Sequence, residues 1–132
     1  MTDQIIFIDK RLYIGSSLIG GGYGVFTNSF IEKNTIVEGS HIIKISNDEI
    51  AKLIYAGSNG LYDYIWLFEG EPVLALGFGS IYNHADTPNL DVSFLNNTIQ
   101  FKTNVDIYPN NELFVTYGEP WWFIRNKTPK TM

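Results

Sequence analysis

Apolar and polar positions alternate along this chain in short stretches, and the dominant period is two, as in half-buried strands. The clearest case is Asp91–Leu95 with Thr98–Thr103, set around Asn96-Asn97. Val92 and Phe94 share one face, as do Ile99 and Phe101, which predicts a hairpin. Glu112–Tyr117 predicts a last strand with Leu113 and Val115 on one face. Val25–Thr27, Thr35–Glu38, His41–Ile45 and Pro72–Leu76 read as further strands, the first two flanking a turn at Ile31–Asn34. Ile5–Ile8 and Arg11–Ile14 flank Asp9-Lys10 and predict an N-terminal hairpin. Helical spacing occurs at Ile50, Leu53 and Ile54, behind Ser46 as N-cap and Glu49 three residues later as a capping box. Gly57 or Asn59-Gly60 would end that helix. Leu61–Phe68 fits strand by its aromatic content and helix by its spacing, and Gly20–Gly24 interrupts any regular element. The expectation is one mainly β domain with one or two short helices and a frayed end at Asn126–Met132.

Composition narrows what such a domain can do. With 132 residues, 45% of them hydrophobic, the chain can bury a core in a single domain. Only 17% are charged, against about a quarter in an average protein. Nine Lys and Arg against fourteen Asp and Glu leave a net charge of −5. That argues against direct nucleic-acid binding, where Lys and Arg supply the affinity, and favours a basic partner. There is no cysteine, which excludes disulfides, thiolate nucleophiles, Cys-ligated zinc and iron–sulfur clusters. The histidines are His41 and His84, too few for a His-rich metal site, so no metal is expected. The N-terminus lacks a basic signal region, and no apolar run approaches the roughly 20 residues of a membrane span. A soluble intracellular protein is the expectation. The aromatic share is 15%.

Three motifs carry candidate chemistry. Gly21-Gly22-Tyr23-Gly24-Val25-Phe26 lets a backbone approach a ligand closely, although a strand-connecting turn needs no more. Ser80–Asn89 contains Asn83-His84 and Pro88-Asn89; an Asn carboxamide both donates and accepts, but an Asn-His pair in a turn is usually structural. Glu112-Leu113 followed by Tyr117-Gly118 and then Trp121-Trp122 can aim a Tyr hydroxyl into a cavity, or simply end a sheet.

Together and in this order the three resemble the SET-domain lysine methyltransferases, over roughly residues 11–125. That family carries Gly-x-Gly, then Asn-His-Ser/Cys-x-x-Pro-Asn, then Glu-Leu-x-x-x-Tyr-Gly. In its brevity the chain is similar to stand-alone viral SET proteins. Ala85 stands in place of the usual Ser or Cys, and Asn111 where a Gly often precedes the Glu; Asn also tolerates a left-handed backbone. The family's flanking cysteine-rich zinc segments are absent.

The resemblance implies a β-clip of several small sheets with a C-terminal pseudoknot, spanning residues 1–132 as a single SET domain. It also implies methyl transfer from S-adenosylmethionine to the ε-amine of a protein lysine, in a histone-like tail. By that resemblance the Gly22-Tyr23-Gly24 backbone and Asn83 hold the amino-acid end of the cofactor, and the His84 backbone reads the adenine edge. Trp121 or Trp122 covers the adenine ring, doing with aromatics what a zinc-bound segment does elsewhere. Tyr117 is the central catalytic residue, orienting amine or sulfonium rather than serving as base, since phenolate is scarce at pH 7. Tyr64, Val115 and Tyr82 are candidates for the lysine channel, and a small Val115 leaves room for more than one methyl. A homodimer and a nuclear location, host-nuclear for a viral protein, are compatible extensions. Two other readings stand beside this one: a catalytically weak SET-like peptide-binding module, and a small β-sheet interaction protein with no cofactor.

Overall fold

The computed structural model describes residues 6–17, 19, 22–55, 65–68 and 71–116. Ten strands and one helix are defined there: β1 (Phe7–Ile8), β2 (Leu12–Ser16), β3 (Tyr23–Thr27), β4 (Ile36–Lys44), α1 (Asn47–Tyr55), β5 (Ile65–Phe68), β6 (Glu71–Ala75), β7 (Asn83–His84), β8 (Leu90–Leu95), β9 (Thr98–Thr103) and β10 (Glu112–Val115). The larger sheet runs β5-β6-β4-β9-β8, with β1 also on β4; the smaller runs β2-β3-β10-β7. The protein is mainly β, as the two-residue periodicity predicts.

The β8–β9 hairpin forms in the expected register, Val92 opposite Phe101 and Phe94 opposite Ile99. Asn96 makes its turn at φ 55°, a left-handed conformation that Asn adopts more readily than most residues. Helix α1 starts as its sequence requires, with the Glu49 N–H donating to Ser46 Oγ at 3.1 Å. The residues expected to end it lie outside the described ones, as do 61–64; the part of the ambiguous segment that is described, Ile65–Phe68, is strand.

Three local expectations are corrected. Ile5–Ile8 and Arg11–Ile14 do not pair with each other. β1 pairs with β4, and the Asp9 N–H continues that ladder to the Val37 carbonyl at 2.8 Å, while β2 pairs with β3. The chain is turned between them by Asp9, whose carboxylate accepts from Arg11 N, Nε and Nη2 at 2.8–3.0 Å. The two strands read on either side of Gly39-Ser40 are one strand, because Gly39 and Ser40 stay in register with Gln100 and Ile99. Finally, the left-handed residue ahead of β10 is Asn110, at φ 68°, rather than Asn111.

Both sheets bury one core, in which Val25, Ile31, Val37, Val73, Ile99, Phe101, Leu113 and Val115 lose all solvent contact. At about 25 cal/mol per Å² of apolar surface, these side chains dominate the favourable side of folding. Glu38 lies among them, also fully buried. Its Oε1 accepts from the Tyr82 hydroxyl at 2.6 Å, and its Oε2 from Ser40 Oγ at 2.6 Å and the Phe78 N–H at 2.8 Å. Burial pushes this carboxyl above the usual range, and hydrogen bonds from Ser40, Tyr82 and the Phe78 and Gly79 backbone pull it partly back. The network fixes the turn between β6 and β7. Gly77 takes φ 64° there, and a Cβ on it would lie 2.6 Å from Ser40 Oγ.

Candidate functional site

The second and third motifs, some thirty residues apart, meet as parallel strands: β10 lies beside β7 with Phe114 opposite Asn83 and Val115 opposite His84. The Ala85 N–H extends the ladder to the Val115 carbonyl at 2.9 Å. Asn89 fastens this junction from the side. Its Oδ1 accepts from the Phe114 N–H at 2.6 Å, and its Nδ2 donates to the Glu112 carbonyl at 2.9 Å. One side chain thus bonds a backbone N–H and a backbone carbonyl of β10. On its other edge β10 pairs antiparallel with β3, Glu112 opposite Phe26 and Leu113 opposite Val25. A single four-residue strand therefore holds the glycine motif on one side and Asn83-His84 on the other.

The side chains at this junction form one network around Glu112. Its Oε1 accepts from the Ser17 hydroxyl at 2.8 Å, and its Oε2 from Asn83 Nδ2 at 2.8 Å. The same Asn83 nitrogen donates to the Tyr23 carbonyl at 3.0 Å. Both neighbours are acceptors, so the amide nitrogen must face them, and the Oδ1 atom faces away. No described residue donates to that oxygen. Gly24 is the wall of this network: a Cβ there would lie 2.8 Å from the Glu112 carboxyl carbon and 2.9 Å from Asn83 Nδ2. A Cβ on Gly22 would meet nothing within 4 Å. Of the two motif glycines, only Gly24 is demanded by packing.

Ser17 carries no motif and was not visible as a site residue. It closes the glycine-rich loop through its N–H to the Gly22 carbonyl at 2.8 Å, and its Oγ accepts from the Ile19 N–H at 3.1 Å. A polar residue three positions ahead of the glycine run is the one available signal. Asn89, within the Ser80–Asn89 motif, is a second functional residue that its sequence context does not mark.

The remaining candidates separate. Tyr23 turns its ring to solvent, 70% exposed, and enters the network through its carbonyl. His84 is buried, its Nε2 3.0 Å from Asp86 Oδ1, and its backbone is in the β7–β10 ladder. Val115, expected in the lysine channel, is corrected: it is fully buried next to His84 in the hydrophobic core. Tyr82, expected on the channel wall, is corrected: it is 1% exposed, packs on Phe101 with ring centroids 4.5 Å apart, and spends its hydroxyl on Glu38. Burial, reinforced by the Glu38 charge, pushes that hydroxyl well up, so it stays protonated and donates. Tyr64, Tyr117, Trp121 and Trp122 lie outside the described residues.

Chemically, the junction offers an acceptor oxygen held beside a carboxylate, next to a backbone stripped of its Cβ. That set of acceptors suits a small ligand presenting an ammonium. Among the described residues no group of three or more His, Asp or Glu could hold a metal ion, and no helix is long and apolar enough to cross a membrane.

Comparison with known proteins agrees with this geometry. The SET domain family model matches residues 22–118. A curated relative, the histone-lysine N-methyltransferase, H3 lysine-37 specific, of Schizosaccharomyces pombe, is 36% identical over 104 residues, covering 77% of this chain and 70% of its own. A crystal structure of a Plasmodium falciparum protein assigned as a histone methyltransferase superposes with a TM-score of 0.65 at 34% identity, over 87% of this chain and 99% of that one. The Chaetomium thermophilum polycomb repressive complex 2 shares the fold, with a TM-score of 0.65 at 24% identity, over 84% of this chain and 16% of that one.

Proposed function

This chain belongs to the SET domain family, and from that premise we propose that its lysine methyltransferase activity draws the methyl group from S-adenosylmethionine and delivers it to a basic, histone-like protein tail. The observation that carries the cofactor assignment is the Asn83 carboxamide: nitrogen spent on Glu112 and the Tyr23 carbonyl, oxygen met by no donor among the described residues. Asn83 Oδ1 would accept from the cofactor ammonium, the backbone of Gly22–Gly24 would hold its amino-acid end, and the main chain at His84 would read the adenine edge. Trp121 or Trp122 is the candidate to cover the ring. The relative from Schizosaccharomyces pombe, named for a histone lysine, and the net charge of −5 support a histone-like tail as substrate, and hence a nuclear site of action.

The cofactor supplies an electrophilic sulfonium methyl; the protein's task is to present a neutral lysine in line with it. Deprotonating a lysine of pKa about 10.4 at pH 7 costs about 4.6 kcal/mol. A narrow, apolar channel disfavours the ammonium and lowers that cost. Tyr64 is assigned to its wall, and aromatic faces attract the cation as it enters. Tyr117 orients the amine; as a phenol of pKa about 10 it is not the base. Alignment of nitrogen and methyl supplies the rest of the barrier reduction.

The test is Tyr117→Phe. It should keep the wild-type melting transition and its stabilisation by S-adenosylhomocysteine, about 2.7 kcal/mol at 100 times the dissociation constant, while methyl transfer drops by at least about tenfold. A variant as active as wild type removes Tyr117 from the centre of the site.

A further inference from the structure

We propose that Glu112 is the positioning residue of this site: its carboxylate locks the Asn83 carboxamide with the oxygen outward and so makes the site selective for a ligand bearing an ammonium. The inference rests on the cofactor reading above and adds a residue to it.

A carboxamide can turn over by half a rotation, exchanging its nitrogen and oxygen, and a free Asn presents either. At Asn83 the choice is made by neighbours that cannot donate, the Tyr23 carbonyl at 3.0 Å and Glu112 Oε2 at 2.8 Å. Turned over, the amide would set its oxygen against both of these oxygens. The carbonyl alone needs one amide hydrogen; Glu112 engages the other, so it commits both donors of the group.

Glu112 can hold that orientation because it is itself held. Its backbone is paired with β3 and its carbonyl is bonded by Asn89. Its second carboxylate oxygen is clamped by Ser17, 95 residues away in the chain and 7% exposed. Gly24 closes the remaining side, where any Cβ would run into the carboxyl group. The carboxylate also places a negative charge one amide away from the ligand position, which attracts a cation and repels an anion.

The test compares two ligands in calorimetry on the full chain: S-adenosylhomocysteine, and its analogue lacking the α-amino group. The wild-type protein should prefer the amino-bearing ligand by at least about tenfold, the usual scale of a charge-assisted hydrogen bond. Glu112→Leu removes both acceptor oxygens and frees the Asn83 amide to turn over. It should bind the amino-bearing ligand at least about tenfold more weakly, and the deaminated analogue within about twofold of wild type. A purely structural role would weaken both equally. Ser17→Ala loosens the clamp alone and should show the same selective loss at smaller size, which keeps the test open if Glu112→Leu does not fold. Equal weakening of both ligands, or an unchanged preference in the variant that folds, overturns the proposal and leaves the methyltransferase reading intact. A wild-type protein that binds neither ligand overturns both.

Discussion

Two glutamates organise this molecule, and they differ in what their networks leave over. Glu38 is fully buried, and its carboxylate is closed on all sides by Tyr82, Ser40 and the turn at Phe78. Glu112 is half-buried, takes Ser17 and Asn83, and its network ends on an amide oxygen that no described residue satisfies. By burial and perturbed acidity, the usual markers of a site, Glu38 is the stronger candidate. By unspent hydrogen-bonding capacity, Glu112 is. A closed network spends its interactions on the fold, while an open one keeps some for a ligand, and the family's motifs converge on the open one.

The sharpest way to break this contrast is to remove each carboxylate. Glu38→Ala leaves the Tyr82 and Ser40 hydroxyls and the Phe78 N–H without their acceptor in a dry core, and should cost at least about 3 kcal/mol in denaturant unfolding. Glu112→Ala, at a half-buried site with water in reach, should cost about 1 kcal/mol and act chiefly on ligand binding. Equal losses of stability would erase the distinction.

The two glycines give a smaller contrast. Gly24→Ala drives a methyl group into the Glu112–Asn83 pair and should cost about 1–3 kcal/mol together with cofactor affinity, whereas Gly22→Ala enters open space and should stay within about 0.5 kcal/mol. Thermal shifts with and without S-adenosylhomocysteine read both effects.

The smallest effect is on pH dependence. The Glu38 carboxyl in the folded protein holds its proton above the usual glutamate range, chiefly because it is buried. Between the unfolded and folded values the folded state binds more protons, so this residue's contribution to stability is complete below the unfolded value and is lost as pH rises through the folded one. Glu38→Gln removes that slope. Wild type should therefore lose stability relative to Glu38→Gln as pH rises from about 4 towards neutrality, measured as paired denaturant midpoints. A constant difference would mean that Glu38 does not titrate in that window.

Local signals were legible in the sequence and long-range ones were not. Alternation about Asn96-Asn97 gave the β8–β9 hairpin with its register, and Ser46 the helix start, because both are decided within a few residues. The order of three motifs pointed to the site. Alternation cannot choose a partner across the chain, so β1 was assigned to β2 when its hydrogen bonds go to β4. Ser17 and Asn89 escaped for the same reason: each acts on β10, 95 and more than twenty residues away. Tyr82 was misplaced because an aromatic beside a motif reads alike whether it faces a channel or a buried carboxylate, and only the position of Glu38 decides.

In the proposed function the Asn83 oxygen, met by no described donor, serves a methyl-donor cofactor. The most direct measurement is incorporation of labelled methyl from S-adenosylmethionine into lysine of a histone-tail peptide, by wild type and by Asn83→Ala, with folding checked by melting. Transfer by wild type that falls at least about tenfold in folded Asn83→Ala is the predicted result. Equal transfer by the two proteins, or none by a folded wild type across a panel of histone-tail peptides, would contradict it.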